Sequence, residues 1–352
     1  HASAALTPLT AEAHGLFKRL IVRCGGTLVE SLELHNVSEE FVRRLLPLSK
    51  RLNLAGQFLG ANPSTGANGF DLEPNSIAAG ATKRVLYRPM TSALLNIKKL
   101  WPAMLVSQGQ GITFELELAP AAEAVLGSGS QDYTLSNLRC LCTSIEVTTE
   151  LQDQYTSLLL SGKSVFLNLD LHENTQHFLP GNSDKFSISS ARQFSRLNTL
   201  TLLLGQAPSA ATETEQVHNF FLPASAKDTI ESNLVINGVR QPLFNTKGVQ
   251  EHWMRFLRGT GVYAGIGSST SISFSGFGGG TNPGRCFAVV FDLEKMPGHV
   301  EHSGIPVDAG GVCTLHLAGI GTQASEYCDR CILMHSFSGM LEIKDSGCTL
   351  YT

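Results

Sequence analysis

The stretch ELQDQYTSLLLSGKSVFLNLDL, residues 150 to 171, contains a Gly-Lys-Ser tripeptide of the kind that ends a phosphate-binding loop. Such a loop needs a second glycine five positions earlier, where this chain has Ser157. A phosphate-binding loop also runs from a strand into a helix, whereas here a helical pattern precedes Gly162 and strand-like alternation follows it. We therefore expect Gly162 to end a helix in the left-handed conformation, and Lys163 to bind no nucleotide.

Two segments of the chain have the same helical spacing of apolar residues, i, i+4, i+7 and i+8. In the first segment, Thr149 and Gln152 also match a capping box. Gly259 follows the second segment closely, as Gly162 follows the first, so the pair of helices suggests a duplication. The alternative is that any two amphipathic helices share this spacing, since the strands of the two halves do not align one by one. The two apolar faces are Leu151, Tyr155, Leu158 and Leu159, and Val249, Trp253, Phe256 and Leu257.

Most of the remaining chain consists of short alternating runs rich in Val, Ile, Leu, Phe and Thr, bounded by Gly, Pro, Asn and Ser. This pattern is typical of half-buried antiparallel strands. A further helical stretch near residue 38, SEEFVRRLLPLSKRL, contains a potential break at Pro47. The predicted strands are ITFELELA (112–119), VFLNLDL (165–171), LNTLTLLL (197–204), FAVVFDLE (287–294), VCTLHLAG (312–319) and MLEIKDSG (340–347).

The pattern predicts an all-β protein with a few short helices in its loops, because strands and helices do not alternate as they do in α/β folds. The polar linker QAPSAATETEQ (206–216) divides the chain. We expect two antiparallel sandwiches, residues 1–205 and 206–352, with a boundary between residues 190 and 218.

Composition excludes several classes of protein. Only 16% of the 352 residues are charged and the formal net charge is −4, which argues against a broad nucleic-acid-binding face. No run of eighteen apolar residues is present, so we expect no transmembrane segment, and the first ten residues lack the apolar core of a signal peptide. A neutral surface rich in Gly, Ser and Thr favours a protein that hides much of itself in contacts.

Cysteine and histidine patterns do not favour a metal site. Cys328 and Cys331 have C-x2-C spacing, but Cys140 and Cys142 are C-x-C on a predicted strand, where both side chains would point into the core. We expect no structural zinc, no disulfide framework and no cofactor, since a chain of this size needs no covalent staples. The HVEH motif, with His299 and His302, is interpreted as a solvent-facing loop.

One group of titratable residues could be considered as an active site. Asp170, His172, Glu173 and His177 lie in LDLHENTQH, directly after a predicted strand. His172 and Glu173 could be drawn as an acid/base pair, but neighbouring residues of an extended chain point apart. We interpret these residues as a solvated loop and expect no enzyme activity and no catalytic residue.

The glycine-rich segment 259–284 contains apolar residues but too few of them to form a core alone. We expect it to be ordered mainly by a neighbouring subunit, because the apolar side chains would otherwise form an exposed sticky patch. The alternative is that residues 271–277, SISFSGF, form an inner strand of the second sandwich.

The order of these segments resembles the double jelly-roll major capsid proteins of polinton-like viruses, virophages and the large nucleocytoplasmic DNA viruses. The resemblance covers roughly residues 85–352. It is carried by YTLSNLRCLCTSIEVTTELQDQYTSLLLSGKSVFLNLDLH, SISSARQFSRLNTLTLLLG and NLVINGVRQPLFNTKGVQEHWMRFLRGTG, and by MLEIKDSGCTLYT, which looks like the closing strand.

The resemblance implies two jelly rolls in one chain and a homotrimeric, pseudo-hexagonal capsomer of an icosahedral virion. It also implies contacts with neighbouring capsomers, with penton proteins and with minor capsid proteins, and assembly in the host cytoplasm or nucleus. Direct sequence-specific binding of nucleic acid is not expected.

A carbohydrate-binding, lectin-like jelly roll is the alternative function, since lectins share the architecture. Such a protein would display aromatic residues in a shallow groove. The chain has two tryptophans, Trp101 and Trp253, and both lie in apolar contexts.

Overall fold

The computed structural model describes most of the chain. Hydrogen-bonded strands dominate it, together with five α-helices in the described part. The described residues are 4–63, 72–97, 101, 111–125, 132–179, 183–205, 220–262, 269–280, 285–294, 304–307, 311–320, 328–344 and 347–352.

The helices are α1 (His35–Arg44), α2 (Leu48–Ala55), α3 (Ala121–Ala124), α4 (Thr149–Leu160) and α5 (Gly248–Gly259). The strands are β1 (Phe17–Cys24), β2 (Thr27–Leu32), β3 (Ala61–Pro63), β4 (Leu72–Pro74), β5 (Ile112–Leu118), β6 (Val165–Phe178), β7 (Lys185–Ser190), β8 (Phe194–Gly205), β9 (Glu231–Ile236), β10 (Val239–Lys247), β11 (Ala288–Asp292), β12 (Ile305–Val307), β13 (Cys313–Ala318), β14 (Arg330–Lys344) and β15 (Gly347–Tyr351).

Eight of these strands form a jelly roll with two facing antiparallel sheets. One sheet has the order β6-β14-β8-β11, and the other has the order β7-β13-β9-β10. β15 follows β8 along the same edge of β14, and β12 pairs with β8. Every pairing in both sheets is antiparallel, as the alternating sequence pattern predicts.

The core lies between the two sheets, because alternate residues of each strand point inward. On β6 the inward residues are Leu167, Leu169 and Leu171, and on β13 they are Leu315 and Leu317. These side chains belong to one continuous apolar cluster.

The N-terminal part of the chain adds a three-stranded sheet, β2-β1-β5, a small β3-β4 ribbon, and α1 and α2. Leu20, Val22 and Phe41 of this part join the same core as the jelly roll. The β1-β2 hairpin turns through Gly25 and Gly26, which have φ +55° and +83°. Two successive positive φ values are typical of a type I′ turn, which glycine adopts without strain.

Strands from both sides of the polar linker pair with one another. β6 and β8 precede residues 206–216, yet both pair with β14, which follows them. β7 likewise pairs with β13 across the linker. The strand pairing therefore joins residues 165–205 to the sheets of the second half, and it favours an earlier boundary than the predicted one.

Gly162 ends α4 as the sequence predicts. Its φ is +76°, and the Lys163 amide donates to the Leu158 carbonyl oxygen at 3.3 Å. β6 begins at Val165, so the order helix, glycine, strand is confirmed. The capping-box prediction is displaced, since Thr149 is already the first helical residue and the Gln152 amide donates to the Thr148 carbonyl oxygen.

Gly259 differs from Gly162 in its backbone conformation. Gly259 is the last residue of α5, and the glycine with positive φ is Gly261, at +71°. A Cβ at Gly259 would lie 2.5 Å from Cγ1 of Val290, so the missing side chain lets α5 approach β11 closely. The predicted apolar face of α5 is confirmed, with Val249 and Phe256 fully buried.

The described part of the glycine-rich segment is ordered by its own chain, which contradicts the expectation of a neighbouring subunit. Residues 275–279 form a π-helical turn instead of the alternative inner strand. Phe277 is fully buried, with its ring centroid 5.0 Å from those of Trp253 and Phe256 and 4.9 Å from that of Phe287. Residues 263–268 and 281–284 lie outside the described residues.

The C-terminal stretch is a hairpin and not a single closing strand. Residues 340–344 complete β14, and β15 then pairs back with them, Met340 opposite Tyr351 and Lys344 opposite Gly347. The break at Pro47 is confirmed, since α1 ends at Arg44 and α2 begins directly after Pro47.

Candidate assembly surface

Strand β5 is an edge strand with exposed apolar residues. Among the described strands it pairs only with β1. Phe114 and Leu116 lie opposite Val22 and Leu20 of β1, which are fully buried. Residues that face each other across two strands share one side of the sheet. The apolar side of β1 therefore continues onto β5, where the side chains are exposed in the described structure.

The same side of β5 ends with Leu118, so three large apolar side chains follow one another at every second position. Each of the three is more than a third exposed. We call Phe114, Leu116 and Leu118 the β5 face. An open strand edge beside an exposed apolar face is a template for association with another chain.

Residues 132–148, the extended segment, have no strand partner in the described structure. The Tyr133 hydroxyl anchors the start of the segment by donating to the Ala119 carbonyl oxygen at 2.6 Å. Beyond this anchor, Leu138 and Leu141 are each 75% exposed, and Ile145 is 60% exposed. These residues form a second exposed apolar surface of the described structure.

Cys140 and Cys142 lie in this extended segment and are exposed, so the prediction that they point into the core is wrong. Their sulfur atoms are 3.3 Å apart. The strand predicted at these residues is not formed, since residues 132–148 belong to no sheet of the described structure.

Strand β10 carries a third exposed apolar site at the edge of the other sheet. Its register with β9 is interrupted between Gln241 and Thr246. Leu243 and Phe244 lie within this interruption and are 75% and 82% exposed. We call these two residues the β10 tip.

A dense group of charged side chains is buried around α1. Glu40 accepts hydrogen bonds from Arg44 Nε at 2.6 Å and Arg51 at 3.3 Å, and it contacts His14 at 3.0 Å. Burial opposes ionisation of Glu40, but Arg44, His14 and Arg51 together hold the pKa of this carboxyl well below its usual range. Glu40 is thus a buried carboxylate whose ionised form is favoured.

The other half of this group centres on Glu39. Its carboxylate accepts from Arg43 at 2.9 Å and from the Thr91 amide and hydroxyl at 3.0 and 2.8 Å. Arg43 also contacts Glu12. Because the carboxylates are engaged by arginines and backbone amides, the group is arranged to hold segments together.

Helix α1 connects this group to the jelly roll. Arg44 donates to the Arg285 carbonyl oxygen at 3.0 Å, and the Thr270 and Ser271 hydroxyls donate to the Arg44 carbonyl oxygen at 2.9 and 2.8 Å. Arg51 also donates to the Ser271 hydroxyl at 3.0 Å. The N-terminal part and the jelly roll are therefore joined through directional polar contacts as well as through the shared core.

The candidate acid/base residues lie on a strand and not in the predicted loop, because β6 continues to Phe178. His172 hydrogen bonds to the Ser336 hydroxyl at 2.9 Å, whereas Glu173 pairs with Arg192 at 2.6 Å. The two side chains thus engage different partners on opposite sides of the strand. They do not form an acid/base pair.

Cys328 and Cys331 are buried, whereas Cys140 and Cys142 are exposed. Among the described residues, no three His, Cys, Asp or Glu side chains are grouped so that they could hold a metal ion. His299 and His302 lie outside the described residues. No helix in the described ranges is long and apolar enough to cross a membrane.

Sequence reasoning missed the features that matter most at these surfaces. The β10 tip had a visible signal, since the apolar pair Leu243 and Phe244 follows a proline within a polar strand. The sequence carried no signal that the charged residues of α1 are buried. Glu39/Arg43 and Glu40/Arg44 are i, i+4 pairs, which are usually found on solvent-exposed helices.

The fold resembles that of several solved viral proteins. The Faustovirus major capsid protein matches with a TM-score of 0.63 at 10% identity, over 97% of this chain and 74% of that one. PBCV-1 VP54, fitted into a reconstruction of the virophage Sputnik, matches with a TM-score of 0.56 at 12% identity, over 99% and 87%. The chain has a double jelly-roll fold.

The mavirus major capsid protein has a TM-score of 0.51 at 10% identity, over 98% of this chain and 79% of that one. No protein-family model and no curated protein sequence matches the chain. The prediction of an all-β, double jelly-roll fold is confirmed by these structures, which share the architecture at very low sequence identity.

Proposed function

We propose that this protein is a major capsid protein that builds the icosahedral shell of a DNA virus. The observation that carries the proposal is the likeness to three viral capsid proteins over 97% or more of the chain. The exposed apolar surfaces support it, because a chain that leaves the β5 face and the β10 tip uncovered needs a partner to cover them.

The partner is another copy of the same chain. Three copies form a pseudo-hexagonal capsomer in which the β5 face and the extended segment of one copy meet the β10 tip of the next. Such a heterologous contact joins two different surfaces and closes into a ring when the rotation is right. Neighbouring capsomers, penton proteins and minor capsid proteins are further partners, and the protein resides in the virion after assembly inside the host cell.

The domain boundary in this proposal lies earlier than the linker at 206–216. The second jelly roll comprises residues 165–352, because its two sheets contain β6, β7 and β8. The first unit comprises residues up to 148, and α4 with Gly162 connects the two.

The direct test is the particle size of the purified protein. Light scattering should give three times the chain mass of 37.8 kDa, and electron micrographs should show hexagonal capsomers or shells. A protein that remains monomeric at every concentration and forms no shells would contradict the capsid function. Glycan binding by such a monomer would favour the lectin-like alternative.

The surfaces are tested separately with charge substitutions. Leu116→Glu and Phe244→Glu should each abolish trimers, because each places a charge in a surface that becomes desolvated on association. Thr113→Glu is the matched control, since it lies exposed on the opposite side of the same strand β5. Thermal unfolding of each variant shows whether the monomer still folds. Trimers that persist in both apolar variants would show that the contact lies elsewhere, even if the capsid function holds.

A further inference from the structure

Two thiols from opposite ends of the chain meet inside the protein. Cys24 is the last residue of β1, and Cys348 is the second residue of β15, 324 positions later. Their sulfur atoms are 3.1 Å apart. Cys24 is fully buried, whereas Cys348 is half-buried and so remains within reach of a solute.

The backbone on both sides holds the two residues in place. Cys24 and Thr27 are the closing pair of the β1-β2 hairpin. The Thr27 hydroxyl donates to the Cys348 carbonyl oxygen at 2.6 Å, so the residue opposite Cys24 fixes the backbone of Cys348. Gly25 leaves room beside the sulfur, because a Cβ there would lie 3.3 Å from Cys348 Sγ.

We propose that Cys24 and Cys348 are an oxidation site, at which a small disulfide such as glutathione disulfide converts the two thiols into an intramolecular disulfide bond. The bond would tie the N-terminal sheet to the C-terminal strand of the jelly roll. It is independent of the proposed capsid function, since both sulfur atoms belong to one chain.

The reaction proceeds by two exchanges. The Cys348 thiolate attacks one sulfur of glutathione disulfide, which forms a mixed disulfide and releases one glutathione thiolate. Cys24 then loses its proton to solvent and attacks Cys348 Sγ, and the second glutathione leaves as a thiolate. Two protein thiols are oxidised, and one glutathione disulfide is reduced to two thiols. Burial raises the pKa of the Cys24 thiol, so the second exchange is the slow one.

The sequence predicts no disulfide framework because a chain of this size needs no covalent staples and lacks a secretory signal. A single bond between Cys24 and Cys348, formed on oxidation, is not such a framework. Cys140 and Cys142 are exposed and only two residues apart, so a bond between them would join no separate elements. The bond between Cys24 and Cys348 would close nearly the whole chain into a loop, which is the case in which a cross-link restricts the unfolded chain most.

The test uses the full chain with Cys140→Ser and Cys142→Ser, so that no exposed pair competes for the oxidant. The protein is incubated with glutathione disulfide at about pH 8, a value near the ordinary pKa of a thiol. The remaining thiols are alkylated, and the protein is digested without reductant. Mass spectrometry should then find a peptide pair that joins Cys24 to Cys348.

Thermal unfolding provides the second measurement. The oxidised protein should unfold several degrees higher than the reduced protein, and dithiothreitol should reverse the shift. Cys348→Ser should abolish both the linked peptide and the shift, whereas Cys313→Ser, a buried cysteine in β13, should abolish neither. Recovery of Cys24 in alkylated form after complete oxidation, or of Cys348 only as a mixed disulfide with glutathione, would overturn the proposal.

Discussion

Replacing Glu40 with Gln tests whether the buried charges around α1 hold the N-terminal part of the protein to the jelly roll. The substitution keeps the shape of the side chain but removes the negative charge that Arg44, Arg51 and His14 share. Breaking a buried ion pair typically costs about 3 to 5 kcal/mol, because the remaining charge is left uncompensated in the interior. Since Gln retains one oxygen that can accept a hydrogen bond, we expect a loss near the lower end, about 3 kcal/mol.

Glu115→Gln is the matched control for this loss. Glu115 pairs with Arg23 at a similar distance, 3.2 Å, but both side chains are largely exposed. Exposed ion pairs contribute about 0 to 1 kcal/mol, so the control should lose at most that amount. The measurement is urea unfolding followed by circular dichroism, with the midpoint and slope determined for each variant.

A double substitution distinguishes the loss of a specific ion pair from a general loss of stability. Glu40→Gln with Arg44→Met should lose less than the sum of the two single losses, because neither partner then remains as an unpaired buried charge. Equal losses for Glu40→Gln and Glu115→Gln, or strictly additive losses in the double variant, would refute the reasoning that the buried pair joins the two parts of the protein.

The remaining predictions concern the stability of the protein at acidic pH and the effect of substitutions at two glycines and at Lys163. Burial lowers the pKa of His252 and of His335 to about 4, so the unfolded chain binds protons below about pH 6.5 that the folded chain does not. The unfolding free energy should therefore fall between about pH 6.5 and pH 4, by up to about 1.4 kcal/mol per pH unit for each histidine, and equal urea midpoints at pH 7 and pH 5 would contradict this. Gly162→Ala should cost about 1 kcal/mol, because φ is +76° but no atom lies within 4 Å of the added Cβ, whereas Lys163→Ala should cost little. Gly319→Ala should cost roughly 3 kcal/mol or more, since φ is +72° and the added Cβ would collide with the Thr229 carbonyl oxygen; similar losses at Gly162 and Gly319 would show that the close backbone contact has no effect.

The strands and helix ends were predictable because local physics decides them. Alternating residues such as those of VFLNLDL give half-buried strands wherever a core lies on one side. Gly162 and Pro47 end or interrupt helices through their own backbone preferences, which need no knowledge of the fold. Strands β5, β8, β11 and β13 lie within three residues of their predicted positions.

The rest depends on contacts between distant segments, which a single sequence does not display. The polar half of β6, HENTQHF, was interpreted as a loop, yet it pairs along its whole length with β14. The i, i+4 pairs of α1 have the usual pattern of an exposed helix, but they are buried against residues distant in sequence, such as Thr91 and Arg285. Cys24 and Cys348 lie at opposite ends of the chain, so their proximity follows only from the fold.

The buried charges around α1 and the exposed apolar surfaces are connected, because surfaces that bind another copy must have fixed positions relative to one another. A chain that associates through the β5 face, the extended segment and the β10 tip must present these surfaces at fixed positions relative to one another. The β5 face belongs to the N-terminal sheet and the β10 tip to the jelly roll, so any rocking between these parts would misalign the contacts.

A purely apolar junction tolerates sliding, because apolar contact has no preferred direction. The hydrogen bonds of Arg44 and Arg51 to Arg285 and Ser271 do have direction, and they fix the orientation of α1 on the jelly roll. We therefore expect Glu40→Gln to weaken trimer formation even under conditions in which the monomer remains folded, which light scattering at low urea concentration would detect.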